Sequence, residues 1–135
     1  MGSLEEARKI FSKDLYATEL SGAEIKEIGP DYALCSMTLT EKHRNAYGGI
    51  MGGAIYTLAD FAFAVASNYD KDHATVSVVG QASFMSAPKG KILLARADLI
   101  KDGRTNCFFE VTVTDELDTM VAVVTFNGAH VRKAE

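Results

Sequence analysis

The sequence predicts an α+β fold in which a curled antiparallel sheet of about six strands wraps around one long apolar helix. Three observations carry that expectation. The stretch from Asn45 to Asn68, NAYGGIMGGAIYTLADFAFAVASN, is almost uninterruptedly apolar or small and too long for an ordinary strand. Two β-like segments precede it and four follow, each bounded by turn residues. Within the later segments, apolar and polar residues alternate with the period of a strand.

At 135 residues the chain is long enough for one domain with its own core, spanning residues 1–135. Its 14 basic and 18 acidic residues leave a formal charge of −4, and no long run of either sign argues for nucleic acid. Cys35 and Cys107 stand in separate predicted strands without CxxC spacing, so they read as small reduced core residues, and the cytoplasm is the expected compartment. The N-terminal MGSLEEARKIF lacks the apolar core of a secretory signal.

In chain order, Ser3 followed by Glu6 resembles a capping box, and Leu4, Ala7, Ile10, Phe11 and Leu15 predict a short amphipathic helix ending near Leu15. Ala23 to Ile28 and Tyr32 to Leu39 predict a hairpin about Gly29-Pro30-Asp31. The apolar stretch follows, helical from about Ile50, with Gly48-Gly49 and Gly52-Gly53 as flexible openers. It is apolar all round rather than striped, so it must be covered on most sides. Asp60, the paired glycines and the lack of flanking basic residues on the C-terminal side argue against a membrane span. Four strands are then expected in consecutive hairpins: Val76 to Met85, Ile92 to Ile100, Cys107 to Thr114 and Met120 to Val131. In the third of these, Phe109, Val111 and Val113 share the core face.

Asp60 is the anomaly, a carboxylate set among Leu58, Ala59, Phe61 and Ala62, and a buried acid is costly unless something uses it. Around it, Asn45, Gly48, Met51, Gly52, Gly53, Leu58, Ala59 and Asp60 keep the spacing N-x-x-G-x-x-H-G-G-x-x-x-x-L-A-D, with Met51 where the pattern usually has His. With the element order above, this resembles the hotdog fold and its acyl-CoA thioesterases of the phenylacetate-pathway and 4-hydroxybenzoyl-CoA type. The likeness extends through Ser83-Phe84-Met85-Ser86 to Lys101-Asp102-Gly103-Arg104. The resemblance implies that Asp60 is the catalytic carboxylate, as general base on water or as nucleophile on the thioester carbonyl. It implies that backbone N–H groups near Gly52 and Gly53 polarise that carbonyl, that Asn45 orients substrate or water, and that Ser77 holds the water from a neighbouring subunit.

The residues support that chemistry independently. Thioester hydrolysis requires an activated attacker, a place for the developing oxyanion and a slot for the substrate. On a helix, Gly53, Tyr56, Asp60, Ala64 and Ser67 lie roughly along one side, so the helix start and the acid are expected to face the same cleft, and the first turn offers unpaired N–H groups. Two turns, about 10 Å, separate that helix start from Asp60, so a second subunit is expected to complete the site. Burial is expected to raise the Asp60 pKa, and helix-start and Asn donors would oppose that.

Each assignment has a plainer alternative. Asp60 would cap a neighbouring backbone group, Gly52 and Gly53 would permit close packing, Asn45 would shape a turn, and Ser77 would be sheet surface. The thioether of Met51 cannot replace the hydrogen bonds of a His, and the site is then expected to be slower or to favour more apolar acyl groups. His43, His73 and His130 read as surface or loop residues. Lys101 and Arg104, beside a tight Asp-Gly turn, are expected to contact coenzyme A phosphates, and Phe84 to line the pantetheine channel.

The expected protein is therefore an acyl-CoA thioesterase using no metal or other cofactor, with Met51, Tyr56, Phe84, Lys101 and Arg104 on the substrate. Its partners are the acyl-CoA and further copies of itself, as a homodimer or dimer of dimers, without nucleic acid or membrane. The alternatives are a hotdog dehydratase or hydratase, disfavoured because no His lies on the helix, and a non-catalytic acyl-CoA binding or sensor module.

Overall fold

A computed structural model describes residues 2–132. Helix α1 (Leu4–Phe11) opens on Ser3, whose hydroxyl accepts the Glu6 N–H at 3.1 Å. Only half of the capping box forms. The Glu6 carboxylate instead accepts the Tyr69 hydroxyl at 2.7 Å, and that hydroxyl accepts the Ser3 N–H at 2.9 Å, which pins α1 to the chain leaving the central helix. The expected run to Leu15 is not continuous. α1 stops at Phe11 and a separate π-helical turn, Tyr16–Leu20, follows, leaving Leu15 exposed rather than on a buried face.

Six strands follow the expected positions: β1 (Ala23–Gly29), β2 (Tyr32–Thr38), β3 (Ala74–Phe84), β4 (Ile92–Asp102), β5 (Asn106–Asp115) and β6 (Met120–Val131). They form one antiparallel sheet in the order β1-β2-β4-β5-β6-β3. Strand β5 buries Phe109, Val111 and Val113 on one face, as its alternation predicts. Register shifts in the β1–β2, β3–β6, β4–β5 and β5–β6 pairings supply the local twist that lets the sheet curl.

The consecutive hairpins are corrected for β3, which pairs with β6 at the sheet edge and not with β4. Backbone and side-chain acceptors together hold the crossover that results. Met85 and Ser86 donate to the Val121 carbonyl at 2.8 and 3.3 Å. Lys89 and Gly90 then donate to Asp115 at 2.7 and 2.9 Å, and Lys91 and Ile92 to Glu116 at 2.9 and 3.0 Å. These contacts replace the backbone ladder that a tight hairpin would have made.

Helix α2 (Gly52–Asn68) lies in the hollow of the sheet. Leu58, Ala59, Ala62 and Val65 are buried, and Phe63 stacks on Phe126 at 4.6 Å and meets Phe109 edge-on at 5.4 Å. The helix is not covered all round: Gly53, Tyr56, Thr57, Asp60 and Ala64 leave an open stripe. The direction of β3 along α2 is fixed at both ends. Asn68 exchanges hydrogen bonds of 2.7 and 3.1 Å with the backbone of Thr75, while Gly52 meets Phe84. Both cysteines are buried and unbridged, and burial pushes the Cys35 thiol up to about 12. Among the described residues no helix is long and apolar enough to cross a membrane.

Candidate active site

The start of α2 is prepared by the loop before it. Asn45 closes this loop: its side-chain oxygen accepts the N–H groups of Tyr47 and Gly49 at 2.9 and 3.0 Å, and its N–H donates to the Gly49 carbonyl at 2.7 Å. Gly48 makes the reversal at φ +86°, a conformation that favours glycine. Asn45 is thus a turn residue, and its side-chain amide donors have no partner among the described residues.

Met51 occupies the N-cap without any side-chain bond to the helix. Its carbonyl accepts from Ala54 and Ile55 at 3.0 and 3.3 Å, which leaves the N–H groups of Gly52 and Gly53 without partners among the described residues. His43 does not stand in for the missing imidazole. Contrary to its reading as a surface or loop histidine, it is buried in a short 3₁₀ turn, one ring nitrogen accepting the Thr40 N–H at 3.0 Å and the other 2.7 Å from the Ser21 carbonyl. His130 also differs from that reading: it lies in β6, 2.9 Å from the Thr75 hydroxyl and 2.7 Å from Asp102.

Asp60 sits in the open stripe of α2 and lines a cleft of about 350 Å³. Its carboxylate accepts no hydrogen bond and pairs with no cation among the described residues, so it caps no backbone group. Burial raises its pKa above 3.8, and the neighbouring Asp14 carboxylate raises it further. Tyr56, one turn earlier, lines the same cleft, packs on Phe126 at 5.7 Å, and has its hydroxyl pKa raised by burial and by Asp60. Ser67, expected on the same side, is buried and donates to the Phe63 carbonyl at 2.7 Å.

Gly52 opens on a different cleft of about 370 Å³, with Ile50, Ile55, Phe84 and Met85. Phe84, 54% exposed, and Met51, 51% exposed, flank the unpartnered amides. Contrary to the expectation that the helix start and the acid face one cleft, a single chain holds the acid and the donors at separate openings, about 10 Å apart along the helix, because the two sites lie two turns apart. Ser77 is exposed on β3, opposite Gly128 of β6. Lys101 and Arg104 are exposed at the β4–β5 turn, where Asp102 and Ser67 share a small cavity. That is the C-terminal end of α2, about 20 Å from Gly52 in the same chain. A further cleft of about 400 Å³ between α1 and β1 has Arg8 and Lys26 in its wall, but Arg8 is spent on the Ile25 carbonyl at 2.9 Å and Lys26 on Glu24 at 3.5 Å.

Residues 47–122, the loop, α2 and strands through the start of β6, match the family model described as "Thioesterase superfamily". The chain belongs to the thioesterase superfamily. Its thioesterase relatives include human acyl-coenzyme A thioesterase 13, 30% identical over 117 residues that cover 84% of each chain. Escherichia coli acyl-coenzyme A thioesterase PaaI is 25% identical over 119 residues, covering 88% of this chain and 84% of that one. The E. coli PaaI structure superposes with a TM-score of 0.82 over 96% of both chains, at 22% identity. A Streptococcus pneumoniae structure described as a "Hypothetical Thioesterase Protein with Coenzyme A" superposes with a TM-score of 0.82, over 93% of this chain and 99% of that one, at 18% identity. The thioesterase fold here is the hotdog fold, and the protein is a thioester hydrolase.

Proposed function

We propose that the protein hydrolyses an acyl-CoA thioester, with Asp60 as the base and the Gly52 and Gly53 amides of a second subunit as the oxyanion donors. The observation that carries this is Asp60 itself, a partly buried carboxylate with no partner among the described residues, opening on a cleft. An acid held this way is a better proton acceptor than an exposed aspartate. As water attacks the carbonyl carbon, its proton passes to Asp60 and the new oxyanion takes up the unpartnered amides. Collapse breaks the C–S bond, and the leaving thiolate takes the proton from Asp60. If Asp60 attacks directly instead, an acyl anhydride forms and water then cleaves it.

The second subunit is supported by β3. This edge strand is exposed from Val76 to Gln81 on both faces, with Val78 at 61% and Val79 at 57%. A long apolar edge of this kind calls for a covering partner, and a homodimer or a dimer of dimers provides it. Such a partner also brings the Asp60 cleft of one chain to the Gly52 cleft of another. In this reading Asn45 directs its free amide at substrate or water, Ser77 adds a hydroxyl, and Phe84 and Met51 border the pantetheine. Lys101 and Arg104 meet coenzyme phosphates from across the assembly.

The reading is tested by following thiol release from a panel of aliphatic and aromatic acyl-CoAs with the wild type and Asp60→Asn. Turnover by the wild type and its loss in a folded Asp60→Asn variant are expected. Undiminished turnover by Asp60→Asn would overturn the role of the acid. Met51 at the usual His position favours a second reading, a non-catalytic acyl-CoA sensor, which predicts tight acyl-CoA binding and no thiol release at all.

A further inference from the structure

The cleft beside Asp60 is built from two parts of the chain: Asp14, Leu15 and Tyr16 after α1, and Tyr56, Asp60 and Phe61 on α2. Asp14 is held there by its backbone. Its N–H donates to the Phe11 carbonyl at 3.0 Å, and its own carbonyl accepts the N–H and hydroxyl of Thr18 at 2.9 and 3.0 Å. Phe11 in turn packs edge-on against Phe61, the residue after Asp60, with ring centroids 6.3 Å apart. The Asp14 carboxylate, like that of Asp60, has no hydrogen bond and no ion pair among the described residues.

Among the described residues, the ionisable groups lining this cleft are Asp14 and Tyr16 from one side and Tyr56 and Asp60 from the other, with no Lys, Arg or His. Two carboxylates without a cation resist being charged together. Burial raises the Asp14 carboxyl above its ordinary value, and Asp60 is raised by burial and then by the charge of Asp14.

Building on the reading of Asp60 as the working base, we propose that Asp14 is its positioning residue, a second carboxylate in the same cleft against whose charge Asp60 takes up and releases its proton. When Asp60 takes the proton of the attacking water, the pair passes from two negative charges to one. When Asp60 passes that proton to the leaving thiolate, the pair returns to two. No other co-reactant is needed.

The test titrates the full chain carrying ¹³C-carboxyl aspartate by NMR, as wild type, Asp14→Asn and Asp14→Glu, with the Asp60 resonance assigned by its loss in Asp60→Asn. The acid limb of kcat/KM is measured on the same three proteins. The Asp60 midpoint and the kinetic limb are expected to move together to lower pH in Asp14→Asn and to stay near wild type in Asp14→Glu, which keeps the charge. The resonance of Asp115, the buried last residue of β5 that holds the crossover far along the chain, reports that each variant is folded. An Asp60 midpoint unchanged in Asp14→Asn overturns the proposal and leaves the role of Asp60 standing. A midpoint that falls while the kinetic limb stays fixed, or a wild type that releases no thiol, removes Asp60 from the reaction, and the proposal falls with it.

Discussion

The ring of Phe84 stands 3.1 Å from the place a Cβ on Gly52 would occupy, whereas a Cβ on Gly53 would meet nothing within 4 Å. The two glycines therefore answer differently to the same change. Gly53→Ala should hold or raise stability, by up to about 1 kcal/mol from the helix preference of alanine, while lowering kcat/KM because the methyl stands beside the amide donors. Gly52→Ala must push Phe84 aside and should melt below Gly53→Ala. Thermal melts with steady-state kinetics check both, and full activity in Gly53→Ala would separate that amide from the reaction.

Asp60→Asn should lower kcat by about 10²–10⁴-fold, the usual worth of a general base. Its effect on stability has the opposite sign. The folded pKa of Asp60 lies above the ordinary 3.8, so between those two values the folded state binds more protons, and its stability falls as pH rises through that window. Asn carries no charge to bury. The variant should melt higher than wild type at neutral pH, and the advantage should vanish below pH 3.8. Melting curves across pH measure this.

Asp115 is the reverse case. Burial opposes its charge, but backbone N–H groups of Gly90, Thr119 and Lys89 outweigh burial and hold the carboxyl well below its usual range. The stability it contributes is complete above the unfolded value of 3.8 and is lost as pH falls toward the folded one. Asp115→Asn turns an amide donor toward backbone donors and should lower Tm at pH 7, with the difference from wild type shrinking in strong acid. An unchanged Tm at pH 7 would remove the crossover clamp from the account of stability.

A lysine at Val78 or Val79 places a charge on the exposed apolar edge of β3. Either variant should sediment as a smaller species than wild type, and its specific activity should fall on dilution, because the Asp60 and Gly52 clefts of one chain open apart. A variant that sediments as a monomer and keeps full activity at every concentration would show that one chain suffices.

Much of this was legible in the residues. The apolar run that became α2, the alternation that buries Phe109, Val111 and Val113, and the turn chemistry around Asp115 each depend on neighbours within a few positions. The end of α1 was not legible, since Leu15 continues a helical spacing that the turn Tyr16–Leu20 interrupts. Nor was the burial of His43, which depends on the Ser21 carbonyl 22 residues away.

By itself the sequence determined the elements, their buried faces and the lone acid, because periodicity and turn residues act locally. Only the tertiary structure decided that β3 joins β6 rather than β4 and that Asp14 comes to lie beside Asp60. It alone showed that Asp60 and the Gly52 amide open on separate clefts. The physical reason is that alternation records which side of a strand is buried but not which strand lies next to it. The 46-residue separation of Asp14 and Asp60 is closed by the packing of Phe11 on Phe61, a contact with no local signature.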